Sequence, residues 1–461
     1  MTHADSCVPC VDYFRRKTMS KKLTHDAGKP EGTGMRRRDF IVASGAAAAT
    51  VAAGALNLPT RLYAQSGRTE ITFASARFFS TDTMQQVIES YNKSQNSVHV
   101  SYIELPPPSS STEVHQQLVQ QLARKSGSPD VFTQDIIWIA EFAEAGWALP
   151  LDHYFGADEM KAYLPGIVQG CTWKGQLTAM PWFIDCGKLY YRTDILEKLG
   201  AGVPETWDQL IETAQKGMGG DVRFGFIWQA KQAEILTCDL VSFIGSNGGA
   251  ILGPDGKSVR IAEPEAKAAV QLMYDTIHKD KITPSDVLTW DEEPSRRPFT
   301  AGQSVFLRNW SYVWSIAQDK TQSDVVGKVE VAPLPHFAGK QSAACLGGYQ
   351  YGVNASTKNK DAAIDFLRWL STPATQLHFA TVEGFVPTRL AVFDEPELAK
   401  TQPFIQKLKN LSLGAIPRPV TPKYPQVTLV LQSEISRALV SGDIEGALNK
   451  AKTQIEKIVA A

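Results

Sequence analysis

Residues 70–132 read EITFASARFFSTDTMQQVIESYNKSQNSVHVSYIELPPPSSSTEVHQQLVQQLARKSGSPDVF, and the changing hydrophobic period within them decides the fold class. Glu70 to Ala74 is a short apolar strand candidate. Met84, Val87, Ile88 and Tyr91 then recur at helical spacing, with Thr81 or Asp82 in place as the cap. Val98, Val100 and Tyr102 alternate as one face of a strand does. After the Pro/Ser loop from Leu105 to Ser111, Ser110 and Glu113 have capping-box spacing for a helix carrying Val114, Leu118 and Leu122 on one face. Past Pro129, Asp130-Val131-Phe132 reads as a third strand. This βαβαβ rhythm predicts a mostly parallel sheet covered by helices. In such sheets ligands sit beyond the carboxyl ends of the strands, so residues 75–80, 105–111 and 134–138 are expected at one cleft.

Outward from that stretch, 461 residues suit two lobes better than one, because a single core stops growing at roughly 250–300 residues. With 43% apolar and 21% charged residues the chain has ample material for hydrophobic cores. Its net charge of −1 lacks the one-sided basic field that phosphate backbones require, which argues against a nucleic-acid partner. Ile444, Leu448, Ile455 and Ile458 mark the apolar side of a last helix.

Upstream, Arg37-Arg38-Asp39-Phe40-Ile41 fits a twin-arginine export signal, followed by an apolar run to about Leu58 that is too short and too rich in Ala and Gly for a membrane span. Cleavage is expected near Ala64-Gln65, although Leu62 is not the usual small residue three positions earlier. Residues 1–64 are thus read as a leader, with Met35 as a second candidate start, and the mature protein as periplasmic. Cys7 and Cys10 fall in that leader. Cys171, Cys186, Cys238 and Cys345 remain, and four cysteines permit three pairings as well as free buried thiols.

Catalytic and metal signatures are missing. The histidines are scattered, without zinc spacing or HExxH. GPDGKS at 253–258 has two residues where a phosphate loop needs four, and reads as a Pro-Asp-Gly turn. There is no GxSxG elbow and no GxGxxG after the first strand. The expectation is therefore no catalytic residue, no metal and no cofactor, although a glycosidase carboxylate pair leaves no spacing signal to exclude.

Aromatic residues and acids instead recur together: Asp135-Ile136-Ile137-Trp138, Pro181-Trp182-Phe183-Ile184-Asp185 and Asn309-Trp310-Ser311-Tyr312-Val313-Trp314. Sugars present hydroxyls that suit charged partners and C–H faces that suit aromatic rings. From about Thr69 onward the chain resembles the family 1 extracellular solute-binding proteins, the sugar receptors of ABC importers, and within them the trehalose/maltose-binding branch. The resemblance is carried by SPDVFTQDIIWIAEFAEAGWALPLD, MPWFIDCGKLYYRTDILEKLG with VPETW, FIWQAKQAEILTCDLV, FTAGQSVFLRNWSYVW, VAPLPHFAGKQSAACLGGYQYGV and AIPRPVTPKYPQ.

That resemblance implies an α/β, two-lobe, maltose-binding-protein-like (type II) fold with a hinge and an interlobe cleft. Crossovers are expected near Pro181, near Leu334-Pro335 and near Gly384–Pro387. The implied lobes are 65–182 with 334–384, and 183–333 with 385–461. Matched motif by motif, Asp135 stands where the family has a carboxylate that accepts sugar hydroxyls, Asp185 at the acidic or amide position just beyond the hinge, and Glu292 at another polar ligand position. Trp310 stands at the stacking ring with Tyr312 beside it, Gly347 where backbone meets ligand with Tyr349 nearby, and Arg418 where the second lobe extends a donor. Departures also occur. The first loop carries Ser80 where an acid is expected, His115 replaces an arginine, Phe183 a tyrosine and Tyr349 a tryptophan. The implied function is delivery of a trehalose- or maltose-like disaccharide to separate ABC permease subunits by a monomeric receptor that is not an enzyme. A receptor for a polyol, glycerophosphodiester or opine, and a secreted glycosidase, are the competing readings.

Overall fold

The computed structural model describes residues 67–78 and 81–461. The expected leader with its twin arginines, Cys7 and Cys10, and also Ser80, lie outside the described residues. The alternating stretch forms β1 (Thr69–Ala76), a helix Thr81–Ser94, β2 (Val98–Leu105), a helix Ser111–Ala123 and β3 (Val131–Asp135). β1 pairs in parallel with both β2 and β3. Met84, Val87, Ile88 and Tyr91 all lie buried against this sheet's helical layer, and the Phe73 ring meets Phe366 edge-on at 5.4 Å. The expected capping box at Ser110 is not formed. Pro108–Ser110 is a 3-10 turn running straight into the helix, so Ser110 lacks the extended backbone (φ −101°, ψ 41°) that an N-cap side chain needs.

Further strands are β4 (Thr172–Trp173), β5 (Gln176–Leu177), β6 (Met180–Pro181), β7 (Phe183–Cys186) and β8 (Lys188–Arg192). They are followed by β9 (Phe224–Ile227), β10 (Ser304–Asn309), β11 (Val329–Ala332), β12 (Leu346–Gly347), β13 (Tyr349–Val353) and β14 (Val386–Pro387). One sheet has the order β2-β1-β3-β13-β6, a second β11-β8-β10-β9, and a small third sheet β12-β7-β14 lies between them in the chain. Antiparallel β13 and β6 make the first sheet mixed rather than purely parallel. The second sheet's core is built on the helix Glu234–Gly245, which is buried on every side, with Phe243 stacked on Trp207 at 4.5 Å.

The chain leaves the first sheet at β6, passes through β7 and enters the second at β8. It runs back through β12 and β13. Ahead of them, His336 N–H bonds the Glu205 carbonyl and Phe337 N–H the Ser246 carbonyl. Thr388 and Arg389 N–H groups bond the Gln376 side chain, and Leu390 N–H bonds the Ala162 carbonyl. Phe404 packs on Trp314 at 5.0 Å, Ile416 pairs with Cys345, and the helix Tyr424–Ser441 lies against Glu234–Gly245. The GPDGKS segment is a turn closed by Gly253 N–H to the Ser258 carbonyl (2.7 Å).

Candidate functional site

A cavity of about 860 Å³, its mouth included, opens where the carboxyl ends of β1, β2 and β3 face the helix Glu234–Gly245, the end of β10 and the loop before Tyr424. Asp135, Asp185, Glu292, Trp310, Tyr312, Gly347, Tyr349 and Arg418 all line it. Phe78, Pro108 and Ser111, from the loops after β1 and β2, join them.

Arg418 spans the cavity. Its Nη2 donates to Asp135 Oδ1 (2.8 Å), at the tip of β3 in the first sheet. Its Nη1 donates to Glu234 Oε1 (2.9 Å), at the start of the second lobe's buried helix. Burial raises the Asp135 carboxyl above its ordinary value, which Arg418 only partly offsets. Burial also opposes the Arg418 charge, but Asp135 together with Cys238, Cys345 and Tyr424 outweighs it and the guanidinium stays charged. Glu234 is further satisfied by the Tyr424 hydroxyl and by Thr428 Oγ1 (2.6 Å).

Asp185, on β7, is equally occupied. Oδ1 accepts from Lys188 Nζ (2.9 Å) and Ser311 Oγ (2.6 Å), and Oδ2 from Ser311 N–H (3.0 Å). Both carboxylates named as sugar acceptors therefore also tie elements together, Asp185 by pinning the β10 exit to β7.

Trp310 is held rather than free. The Arg308 guanidinium lies 4.4 Å from the ring centroid, and Arg308 is itself anchored by Asp239 (2.5 Å) in the core. Gly347 faces the same ring, where a Cβ would come within 3.1 Å of Cζ3. Gly348 beside it has φ +115° and no room for a Cβ against the Phe183 carbonyl, so this tight passage of the hinge requires glycine. Trp310 Nε1 donates to Glu292 Oε1 (3.3 Å), while Oε2 is shut off from solvent without a hydrogen-bond partner. Burial pushes the Glu292 carboxyl up to about 7. The Tyr349 hydroxyl and Arg418 Nε are likewise buried without partners. Tyr312 bonds Glu293 Oε1 (2.8 Å).

Phe183, the departure from a tyrosine, stacks on Phe385 at 4.1 Å and gives the cavity an apolar wall. His115 does not line the cavity: it bonds Glu141 (2.5 Å) among Trp138 and Phe142. Sequence reasoning missed Glu234, Cys238, Glu293 and Phe385, whereas Phe78 falls in the 75–80 loop expected at the cleft. Glu234 had a readable signal, an acid leading the otherwise apolar helix EILTCDLVSFIG. Among the described residues no cluster of His, Cys, Asp and Glu could hold a metal, and no helix is long and apolar enough to cross a membrane.

Comparison with known proteins follows the same lines. Residues 80–377 match the family described as bacterial extracellular solute-binding protein. The chain is similar to a probable ABC transporter-binding protein of Deinococcus radiodurans, 36% identical over 350 residues, 74% of this chain and 82% of that one. It is similar to the mannitol-binding protein of Pseudomonas aeruginosa, 25% identical over 82% of this chain and 85% of that one. The solved structure of maltose-bound MalE3 from T. maritima superposes with a TM-score of 0.78 at 37% identity, covering 84% of this chain and 99% of its own.

Proposed function

The chain belongs to the bacterial extracellular solute-binding proteins, and from that membership we propose that its interlobe cavity binds an uncharged carbohydrate, foremost a trehalose- or maltose-like disaccharide. It has the two-lobe, maltose-binding-protein-like fold and is an exported receptor serving an ABC transporter, not an enzyme. The observation that carries the carbohydrate reading is the set of three buried, unpartnered polar atoms, Glu292 Oε2, Tyr349 OH and Arg418 Nε, on side chains lining a cavity that also carries Trp310. Leaving such atoms unpaired costs about 1–3 kcal/mol each, so a ligand that supplies hydroxyls there gains what the protein alone forgoes. The maltose carried by the T. maritima relative agrees with this chemistry.

A glycerophosphodiester is disfavoured because the nearby cations are already matched: Arg418 with Asp135 and Glu234, Lys188 with Asp185, Arg308 with Asp239 and Arg296 with Glu293. A polyol would satisfy the polar atoms but offers no ring face to Trp310. We assign residues 69–182 and 349–413 to one lobe, and 187–345 and 415–461 to the other. The receptor acts as a monomer whose closed form the ligand stabilises by touching both lobes. Export uses the twin-arginine route.

A thermal-shift panel of mono- and disaccharides, polyols and glycerophosphodiesters tests the reading. A ligand at a hundred times its dissociation constant adds about 2.7 kcal/mol. Stabilisation by a disaccharide, recovered unchanged, is the expected result. Stabilisation by a phosphodiester alone, or cleavage of the sugar, overturns it. Changing Arg37 and Arg38 to Lys should trap the precursor in the cytoplasm, and unchanged periplasmic yield removes the twin-arginine assignment.

A further inference from the structure

Behind the cavity wall, two cysteines from distant parts of the chain are brought together. Cys238 lies on the helix Glu234–Gly245, lines the cavity and is 3% exposed; Cys345, just before β12, is fully buried. One hydroxyl joins their backbones: Ser242 Oγ donates to the Cys238 carbonyl (3.0 Å) and accepts from Cys345 N–H (3.0 Å). Gly245, one turn further, leaves the space that Ala343 and Ile416 fill, so this strand segment lies flat on the helix. Each thiol perturbs the ionisation of the other, and Cys345 Sγ also lies 3.6 Å from the Leu346 carbonyl oxygen. We propose that Cys238 and Cys345 are a redox-active thiol pair, closed to a disulfide by exchange with an external disulfide that reaches Cys238 through the cavity.

Access sets the order of events, since Cys238 lines the cavity and Cys345 lies behind it. Cys238 is raised by the hydrogen bond with Cys345 and by burial. Burial opposes ionisation of Cys345 too, but the Cys238 hydrogen bond and the Arg418 and Arg308 guanidiniums outweigh it and hold this thiol below the ordinary range. Cys171, by contrast, is pushed up by burial alone. In the first step Cys238 sulfur, its proton passing to the Cys345 thiolate and on to the departing external thiolate, attacks the external disulfide and forms a mixed disulfide. In the second the Cys345 thiolate attacks Cys238 sulfur and expels the other. Two protein thiols and one external disulfide become one protein disulfide and two external thiols. The two electrons pass to the external sulfurs, and the two protons leave with them. An exported protein meets such oxidants. The bond would fasten the helix bearing Glu234 to the strand bearing Gly347, fixing two walls of the cavity.

The folded, reduced protein is incubated with 2-hydroxyethyl disulfide, quenched, alkylated with iodoacetamide and digested for mass spectrometry. The expected product is a Cys238–Cys345 linked peptide with Cys171 and Cys186 alkylated, and a Tm that falls on adding dithiothreitol. Cys345→Ser should stall as a mixed disulfide on Cys238, and Cys238→Ser should give no adduct at Cys345. Four alkylated cysteines in the treated wild type, or a link involving Cys171 or Cys186, overturns the proposal. Because the readout needs no ligand, it stands or falls apart from the carbohydrate reading.

Discussion

Arg418 offers the sharpest test of the cavity's architecture, because one guanidinium holds an acid from each lobe. Arg418→Met keeps the side chain's bulk and deletes the charge. Asp135 and Glu234, at 2.8 and 2.9 Å in the structure, then face each other's field without a counter-ion. Removing one partner from a buried pair costs about 3–5 kcal/mol, chiefly because a charge is left uncompensated. The loss should be largest at pH 8 and smaller at pH 5. Burial already raises the Asp135 carboxyl, and without Arg418 it rises further. The folded state then binds protons more tightly than the unfolded one, so stability recovers as pH falls, by about 1.4 kcal/mol for each tenfold gain in proton affinity. Adding Asp135→Asn and Glu234→Gln should restore much of the stability at pH 8. Urea denaturation of the ligand-free protein at the two pH values reads all of this. A loss under about 1 kcal/mol, equal at both pH values, is what a solvated surface pair gives. That outcome would refute the buried interlobe bridge.

Three further outcomes follow from the site. Glu292, ordinarily near 4.5, is held at about 7 in the fold, so folded protein keeps a proton that unfolded chain loses between those values. Its contribution therefore falls by about 3 kcal/mol as pH rises from 4.5 through 7, and Glu292→Gln should remove that slope; parallel urea profiles for the two proteins would contradict the assignment. Trp310→Ala should abolish most sugar affinity while costing apo stability less than the about 3–5 kcal/mol of a fully buried tryptophan, and an apo loss in that full range would make it a core residue. Gly348→Ala should lower Tm through both its φ of +115° and the Phe183 carbonyl, whereas an unchanged melting curve would mean that the hinge passage relaxes easily.

The sequence by itself determined the local elements and the family. Met84, Val87, Ile88 and Tyr91 mark a helix face because a 3.6-residue period leaves few other ways to bury them. The motifs from DIIW to IPRP named side chains that the fold gathers around one cavity. Tertiary structure decided what those side chains do to one another. Asp135 and Asp185 were legible as acids beside aromatics, but not as acids already engaged by Arg418, Lys188 and Ser311. Nor did the chain order announce Glu234 as the second anchor of Arg418, or bring Cys238 to Cys345. His336 pairs with Glu205 and Trp207, more than a hundred positions away, which no local period announces. Periodicity reports which face of an element is buried. Hydrogen bonds and ion pairs between residues a hundred or more positions apart depend on how the lobes are assembled, and no local pattern encodes that.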